Sequence, residues 1–315
     1  MNVKNYIPGF FIIGVIAFFS LYLSTLHASF DALVISIIIG MLLGNLVGNR
    51  DYFSCGLDIG VKALLPAGIA LYGMQLSVSG LRPGLVFSIF LVFCALFVST
   101  LLLSRVFRLN SSISLLLASG LSICGASAIA VISPLIRARR EDTSISILSV
   151  MMLGLIGMIF YPIMYDLFSL NKEEFNFFAG TTLPMIGQVR VAAGNVCPEC
   201  LDSALQIKLV RVAFLLFLVP VLIIRQYRID KKINMPWFII IFMSLSVLVN
   251  TVPAIRQFQE TAKTIGTFFF SAGLAAIGFS VDFDAIIDEG MTPLGVIVTV
   301  WSVVLIGIYL IRNII

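Results

Sequence analysis

Apolar runs of about twenty residues, the length a helix needs to cross a bilayer, recur from one end of this chain to the other. Eleven stand out, near 7–26, 30–48, 60–79, 84–106, 111–137, 143–168, 174–195, 203–225, 235–252, 261–281 and 291–311. Hydrophobic residues are 60% of the chain and charged residues 11%, with a mean hydropathy of +1.09, so lipid is the solvent the fold must satisfy. Backbone N–H and C=O groups at membrane depth need partners within the protein, which makes the runs helices. No stretch is long or polar enough for a separate soluble domain. The expected fold is therefore an all-α polytopic membrane protein, one integral membrane transporter domain over 1–315, with about nine to eleven spans. Only Lys4 precedes the first run and no small-residue cleavage site follows it, so it reads as a span and not a signal peptide.

Two of these runs are interrupted. GLSICGASAIAVISP (120–134) is broken at its centre by Gly125 and small polar residues; TTLPMIGQVRVAAGN (181–195) carries Pro184 and Gly187. A severed helix is tolerated in a membrane only where protein buries it or a cavity wets it. Such breaks mark ligand sites in transporters. Two geometries are open: broken helices that cross outright, or re-entrant hairpins that return to the face they entered from.

Charge bears on that choice. The net charge of +4 mostly reports orientation, because Lys and Arg collect in cytoplasmic loops. With eleven crossings and a cytoplasmic N-terminus, loop Lys and Arg divide nine inside to seven outside; with two hairpins the division becomes eleven to five. The RARR run (137–140) and the cluster Arg225, Arg228, Lys231 and Lys232 then share the cytoplasmic face. The hairpins also suit a faint repeat. AGIALYG (67–73) recurs as AGLAAIG (272–278), and DTSISILSV (142–150) as DSALQIKLV (202–210), each pair then running in opposite directions. That is the inverted-repeat plan of secondary transporters, with approximate halves at 30–168 and 174–311.

Lys208 and Arg211 sit two to three turns past Asp202, deep in the hydrocarbon zone and on one helix face. A cation at that depth costs at least about 2.5–3.5 kcal/mol, so it implies function or a specific partner. Either the pair helps bind an anion, or it is held by an interhelical ion pair or by the exposed carbonyls of a broken helix. The candidate substrate-binding set is Cys124, Gly125, Ala126, Ser127, Gly187, Gln188, Arg190, Lys208 and Arg211. Helices starting near 125–128 and 187–190 would aim N–H groups and positive dipole ends at an anion. Tight helix packing is the alternative role for any single Gly or Ala here.

ICGASAIAVISPLI, the IKLVR of 207–211, AGIALYGMQLS and the order of spans resemble the YeiH-like sulfate exporter family of bacterial inner membranes, grouped with bile-acid and related secondary carriers. The resemblance covers nearly the whole chain. It implies a multi-pass inner-membrane carrier with inverted repeats and discontinuous helices, with Cys124 to Ile129, Gln188, Lys208 and Arg211 at the motif positions. Relatives commonly place a His and an acid a few residues before the Gln, where this chain has Pro184 and Met185. A proton-handling role for that pair would be missing here.

Other chemistry is poorly supplied. His27 is the sole histidine, so a His relay or triad is unavailable. Ser127 with Lys208 lacks the surroundings of a nucleophile. Cys197 and Cys200 form CPEC, a loop pair open to disulfide formation but short of a zinc site. Cys55, Cys94 and Cys124 read as buried small residues. The acids Asp282, Asp284, Asp288 and Glu289 read as a solvated loop, and Asn195 and Gln75 as cavity or helix-bridging polar groups. Asp142, at a helix N-cap position, and Asp202 are the candidates for coupling to a proton or sodium ion, with Asp58 behind them. No phosphate loop or nucleic-acid module is present. The expectation is a non-enzymatic secondary carrier of a small anion such as sulfate or an organic oxyanion, without metal or cofactor. A channel or a sensor on the same scaffold is the alternative, and a homo-oligomer is compatible with either.

Overall fold

The computed structural model describes residues 6–26, 32–47, 52–75, 83–230, 237–280 and 291–312. The chain is an all-α polytopic membrane protein: among the described residues all regular structure is helical, and seven helices are long and apolar enough to cross a membrane. In chain order the first seven elements are α1 (Ile7–Leu26), α2 (Ala32–Leu46), α3 (Ser54–Gln75), α4 (Pro83–Val106), α5 (Ser111–Cys124), α6 (Ala126–Leu135) and α7 (Arg140–Leu167). They are followed by α8 (Lys172–Thr182), α9 (Ile186–Gly194), α10 (Pro198–Ala213), α11 (Leu215–Asp230), α12 (Trp237–Thr251), α13 (Gln259–Ser280) and α14 (Met291–Ile311). His27, Lys231, Lys232 and the acids at 282–289 lie outside the described residues.

The helices gather into two compact units. One holds α1, α2, α3, α12 and α13, and glycines set its packing. A Cβ on Gly40 or Gly44 of α2 would stand 2.4 Å from the carbonyl oxygen of Ala275 or 2.1 Å from that of Phe279, both on α13. One on Gly68 of α3 would stand 2.7 Å from the N of Phe270. Backbones approach this closely because lipid offers helices no hydrophobic drive to associate, leaving van der Waals contact to hold them. The repeated heptapeptides at 67–73 and 272–278 fall on α3 and α13, which pack on one another with Gly273 against Leu65 and Gly68 against Phe270. Asp58 and Lys62, ion-paired at 2.6 Å, sit on the exposed side of α3. Gln75 donates to the Gln259 carbonyl and Gln259 to that of Met74, so Gln75 bridges helix ends.

The other unit holds α4 to α11 and α14, and the second sequence match lies in it. Segments 142–150 and 202–210 are on α7 and α10, the helices that directly follow the two broken segments. With 28 residues α7 is about 42 Å long, more than the thickness of a bilayer's hydrocarbon core. Phe87, Leu102, Ile159 and Phe217 are among the large apolar side chains left exposed on it, as suits a surface that faces lipid.

Candidate functional site

Both broken segments are hairpins, as the contacts at their ends require. Asn110, which caps α5, donates to Asp142 Oδ1 in the first turn of α7 at 3.0 Å. The start of α5 and the end of α6 therefore lie together at the N-terminal end of α7. Half-way along, a Cβ on Gly120 would meet Ile129 Cδ1 at 2.7 Å, whereas nine residues of continuous helix would hold these positions about 13 Å apart. The second segment follows the same logic. Lys172 pairs with Glu199 at 2.6 Å, Gly180 packs on Ala204 and Ile207, and Leu183 meets Lys208 and Arg211. Thus α8 runs parallel to α10, and α9 has to return to where α10 begins. The two hairpins open at opposite ends of α7 and meet tip to tip.

Local chemistry makes each tip. In the first, the chain widens into a π turn in which Gly125 N–H reaches back to Gly120 O at 2.8 Å. Gly125 then adopts φ +65° and ψ −130°, a conformation closed to residues with a Cβ, and the helix ends. In the second, Pro184 pushes the preceding Leu183 into an extended conformation (ψ 133°), as proline does to its predecessor. Having no N–H, Pro184 also leaves the Gly180 carbonyl without its helical partner four residues on.

These severed ends expose carbonyls, and α10 supplies the cations that meet them. Lys208 Nζ donates to Ile123 O at 2.8 Å and to Leu183 O at 2.7 Å, one carbonyl from each tip. Arg211 donates through Nε to Ser122 O (2.9 Å) and through Nη2 to Leu121 O (2.6 Å) on the first tip. Through Nη1 it reaches Gly180 O (3.2 Å) and Leu183 O (3.0 Å) on the second. Both side chains are 0% exposed, and among the described residues neither forms an ion pair with an acid. Of the two protein partners the sequence left open for the pair, an acid on another helix or the carbonyls of a broken one, the carbonyls are what Lys208 and Arg211 touch. A positive charge at a helix C-terminus is favoured by the macrodipole.

The opposite halves begin at the same place. Gly125, preceding α6, lies against Pro184 and Met185, which precede α9, so the N-termini of the two half-helices adjoin. Their first-turn N–H groups have no acceptor within their own helix. Ser127 turns back on Cys124, its hydroxyl 3.0 Å from the carbonyl and 2.9 Å from Sγ. Gln188 accepts from the Met185 N–H at 2.9 Å and reaches Met151 O on α7 at 3.5 Å. Cys124, Gly125, Ala126, Ser127, Gly187, Gln188, Lys208 and Arg211 are thus all buried around the meeting point. Arg190 is half-buried one turn along α9.

The coupling candidates lie elsewhere. Asp142 is buried at the mouth of the first hairpin, bound by Asn110 and by Arg139 at 3.0 Å; it sits in the first turn of α7, and Arg139 holds the N-cap position the sequence suggested for it. Asp202 is exposed. Asn195 is exposed too, and Cys55 and Cys94 are half-buried, where the sequence suggested burial. Cys197 and Cys200 form a disulfide at the start of α10. Sequence reading missed Gly154, whose lack of a side chain makes room for the Gln188 amide, and Tyr161, hydrogen-bonded to Thr182 on α8. The spacing Gly180 to Pro184 was the available sign of an orphaned carbonyl.

Comparison with known proteins agrees with this architecture. The family model described as conserved hypothetical protein 698 matches residues 8–297. A UPF0324 membrane protein of Archaeoglobus fulgidus is 32% identical over 247 residues, covering 77% of this chain and 74% of its own. The chain belongs to this family. A UPF0324 membrane protein of Pasteurella multocida is 30% identical over 94% of both chains, and the UPF0324 inner membrane protein YeiH of Escherichia coli K12 is 26% identical over 96% of this chain and 92% of its own. No solved structure matches. For a UPF0324 chain of this design, the meeting of the tips is where polar chemistry concentrates within apolar helices.

Proposed function

We propose that the protein is a secondary transporter of a small anion, of the sulfate or organic oxyanion class, working by alternating access around the hairpin tips. The observation that carries this reading is the pairing of two fully buried cations, without an acidic partner among the described residues, with two adjoining helix N-termini. Neutral carbonyls, not carboxylates, receive the donors of Lys208 and Arg211, so whatever positive charge the pair carries is left unneutralised. An anion at the N-termini of α6 and α9 gains from that charge and from the N–H groups of Ala126, Ser127, Gly187 and Gln188. Arg190 stands close enough in sequence to face it from α9. Opposed hairpins of this kind belong to inverted-repeat carriers.

Orientation follows from charge. The end of the unit where the first hairpin opens carries Arg105, Arg108, Arg137 and Arg139 against Glu141 and Asp142, while the other end carries Asp166, Glu173, Glu174, Glu199 and Asp202 against Lys172 and Arg312. By the positive-inside rule the first end is cytoplasmic. The disulfide at the other end suits an oxidising, extracytoplasmic face.

The test is counterflow in proteoliposomes with radiolabelled sulfate, sulfonates and carboxylates, beside a thermal-shift screen of the same anions. Saturable exchange of one of them, weakened in Ser127→Ala and Arg190→Ala, is the expected result. Electrogenic flux far above carrier turnover would mark a channel instead, and absence of both binding and flux across the panel would sink the reading.

A further inference from the structure

Carbonyl groups freed at the C-terminal ends of half-helices are what transporters use to hold a coupling sodium ion or proton. In this protein they are already occupied. Lys208 places its ammonium 2.8 Å from Ile123 O and 2.7 Å from Leu183 O, one acceptor from each hairpin, with no exposure to solvent. A point charge on a flexible stem, with donors pointing in several directions, mimics a monovalent cation better than any other side chain. Beside it, Leu121, Ser122 and Gly180 turn their carbonyls on the Arg211 guanidinium, and the Leu183 carbonyl is shared by both side chains. No acidic side chain among the described residues joins them, so the oxygen dipoles alone do the stabilising.

We infer that Lys208 is a tethered cation occupying the position of an exchangeable coupling ion, so that the protein needs no alkali cation at its hairpin tips. The ion that would bind and leave with each cycle in a sodium-coupled carrier is here covalently part of α10. The two tips consequently stay joined whatever the sodium gradient. The consequence for flux rests on the transporter reading above, whereas the occupancy of the carbonyl site by Lys208 does not.

The experiment measures thermal stability and equilibrium binding of radioactive sodium on the purified full chain, in sodium, lithium and N-methylglucamine chlorides, for the natural protein, Lys208→Ala and Lys208→Gln. The natural protein is expected to bind no sodium and to melt at the same temperature in all three salts. Lys208→Ala is expected to melt lower in N-methylglucamine and to regain a few degrees, saturably, with sodium or lithium; Lys208→Gln, whose amide fills part of the space, should regain less. Saturable sodium binding with Lys208 intact would overturn the inference. So would variants that respond alike to all three salts, or that stay unfolded in every one, since Lys208 would then be structure that no ion replaces. These readouts need no anion, so failure of the anion reading leaves them interpretable.

Discussion

The side-chain amide of Gln188 lies against the bare Cα of Gly154: a Cβ on Gly154 would stand 2.0 Å from Gln188 Oε1. Gln188 in turn holds the Met185 N–H at the entry to α9, so a methyl group on α7 should disturb the second hairpin tip. Gly154→Ala is expected to destabilise the protein by about 1–3 kcal/mol, the usual range for overpacking. Gln188→Ala in the same chain should recover most of the packing part. Melting temperatures of the two single variants and the double variant check this, with the coupling between them as the diagnostic.

Gly125 stands at φ +65° with Met185 Cγ 2.6 Å from where a Cβ would be. Gly125→Ala meets both the backbone penalty of about 1–3 kcal/mol and the clash. We expect a large fall in melting temperature, whereas Ala126→Gly, one residue on, should cost about 1 kcal/mol or less.

Among the described residues Arg211 is the one side chain that satisfies four carbonyls at once. Arg211→Met leaves several buried acceptors unpaired at about 1–3 kcal/mol each, enough to prevent folding of a marginal protein. Arg211→Lys keeps the charge but loses the fork that reaches both tips. The expected order of yield and melting temperature in detergent is natural protein, then Arg211→Lys, then Arg211→Met.

Asp142 accepts from Asn110 and pairs with Arg139, which ties the mouth of the first hairpin to α7. Asp142→Asn is expected to weaken this contact by about 1–3 kcal/mol while leaving the pH dependence of solute flux unchanged. A flux that loses its pH dependence on this substitution would instead make Asp142 the coupling group.

Of five cysteines, Cys55, Cys94 and Cys124 are thiols and Cys197 is bonded to Cys200. Alkylation of denatured, unreduced protein should therefore modify three residues, and five after reduction, as read by mass spectrometry. In right-side-out vesicles a membrane-impermeant reductant should open the pair, and a cysteine placed at Arg137 should stay protected from impermeant reagents.

The apolar runs, the two interruptions and the depth of Lys208 and Arg211 were all legible in the residues, because hydropathy, proline and glycine act locally and a charge in lipid is conspicuous. Hydropathy, however, is blind to direction: a broken helix that crosses and one that doubles back have the same composition. What decided between them was the set of contacts at the ends, Asn110 on Asp142 and Lys172 on Glu199, between residues 32 and 27 positions apart. Sequence alone determined that this chain lives in a membrane as helices with two severed segments and two buried cations. Only the tertiary structure decided what those cations touch, since a carbonyl acceptor belongs to every residue and leaves no mark in the amino-acid alphabet.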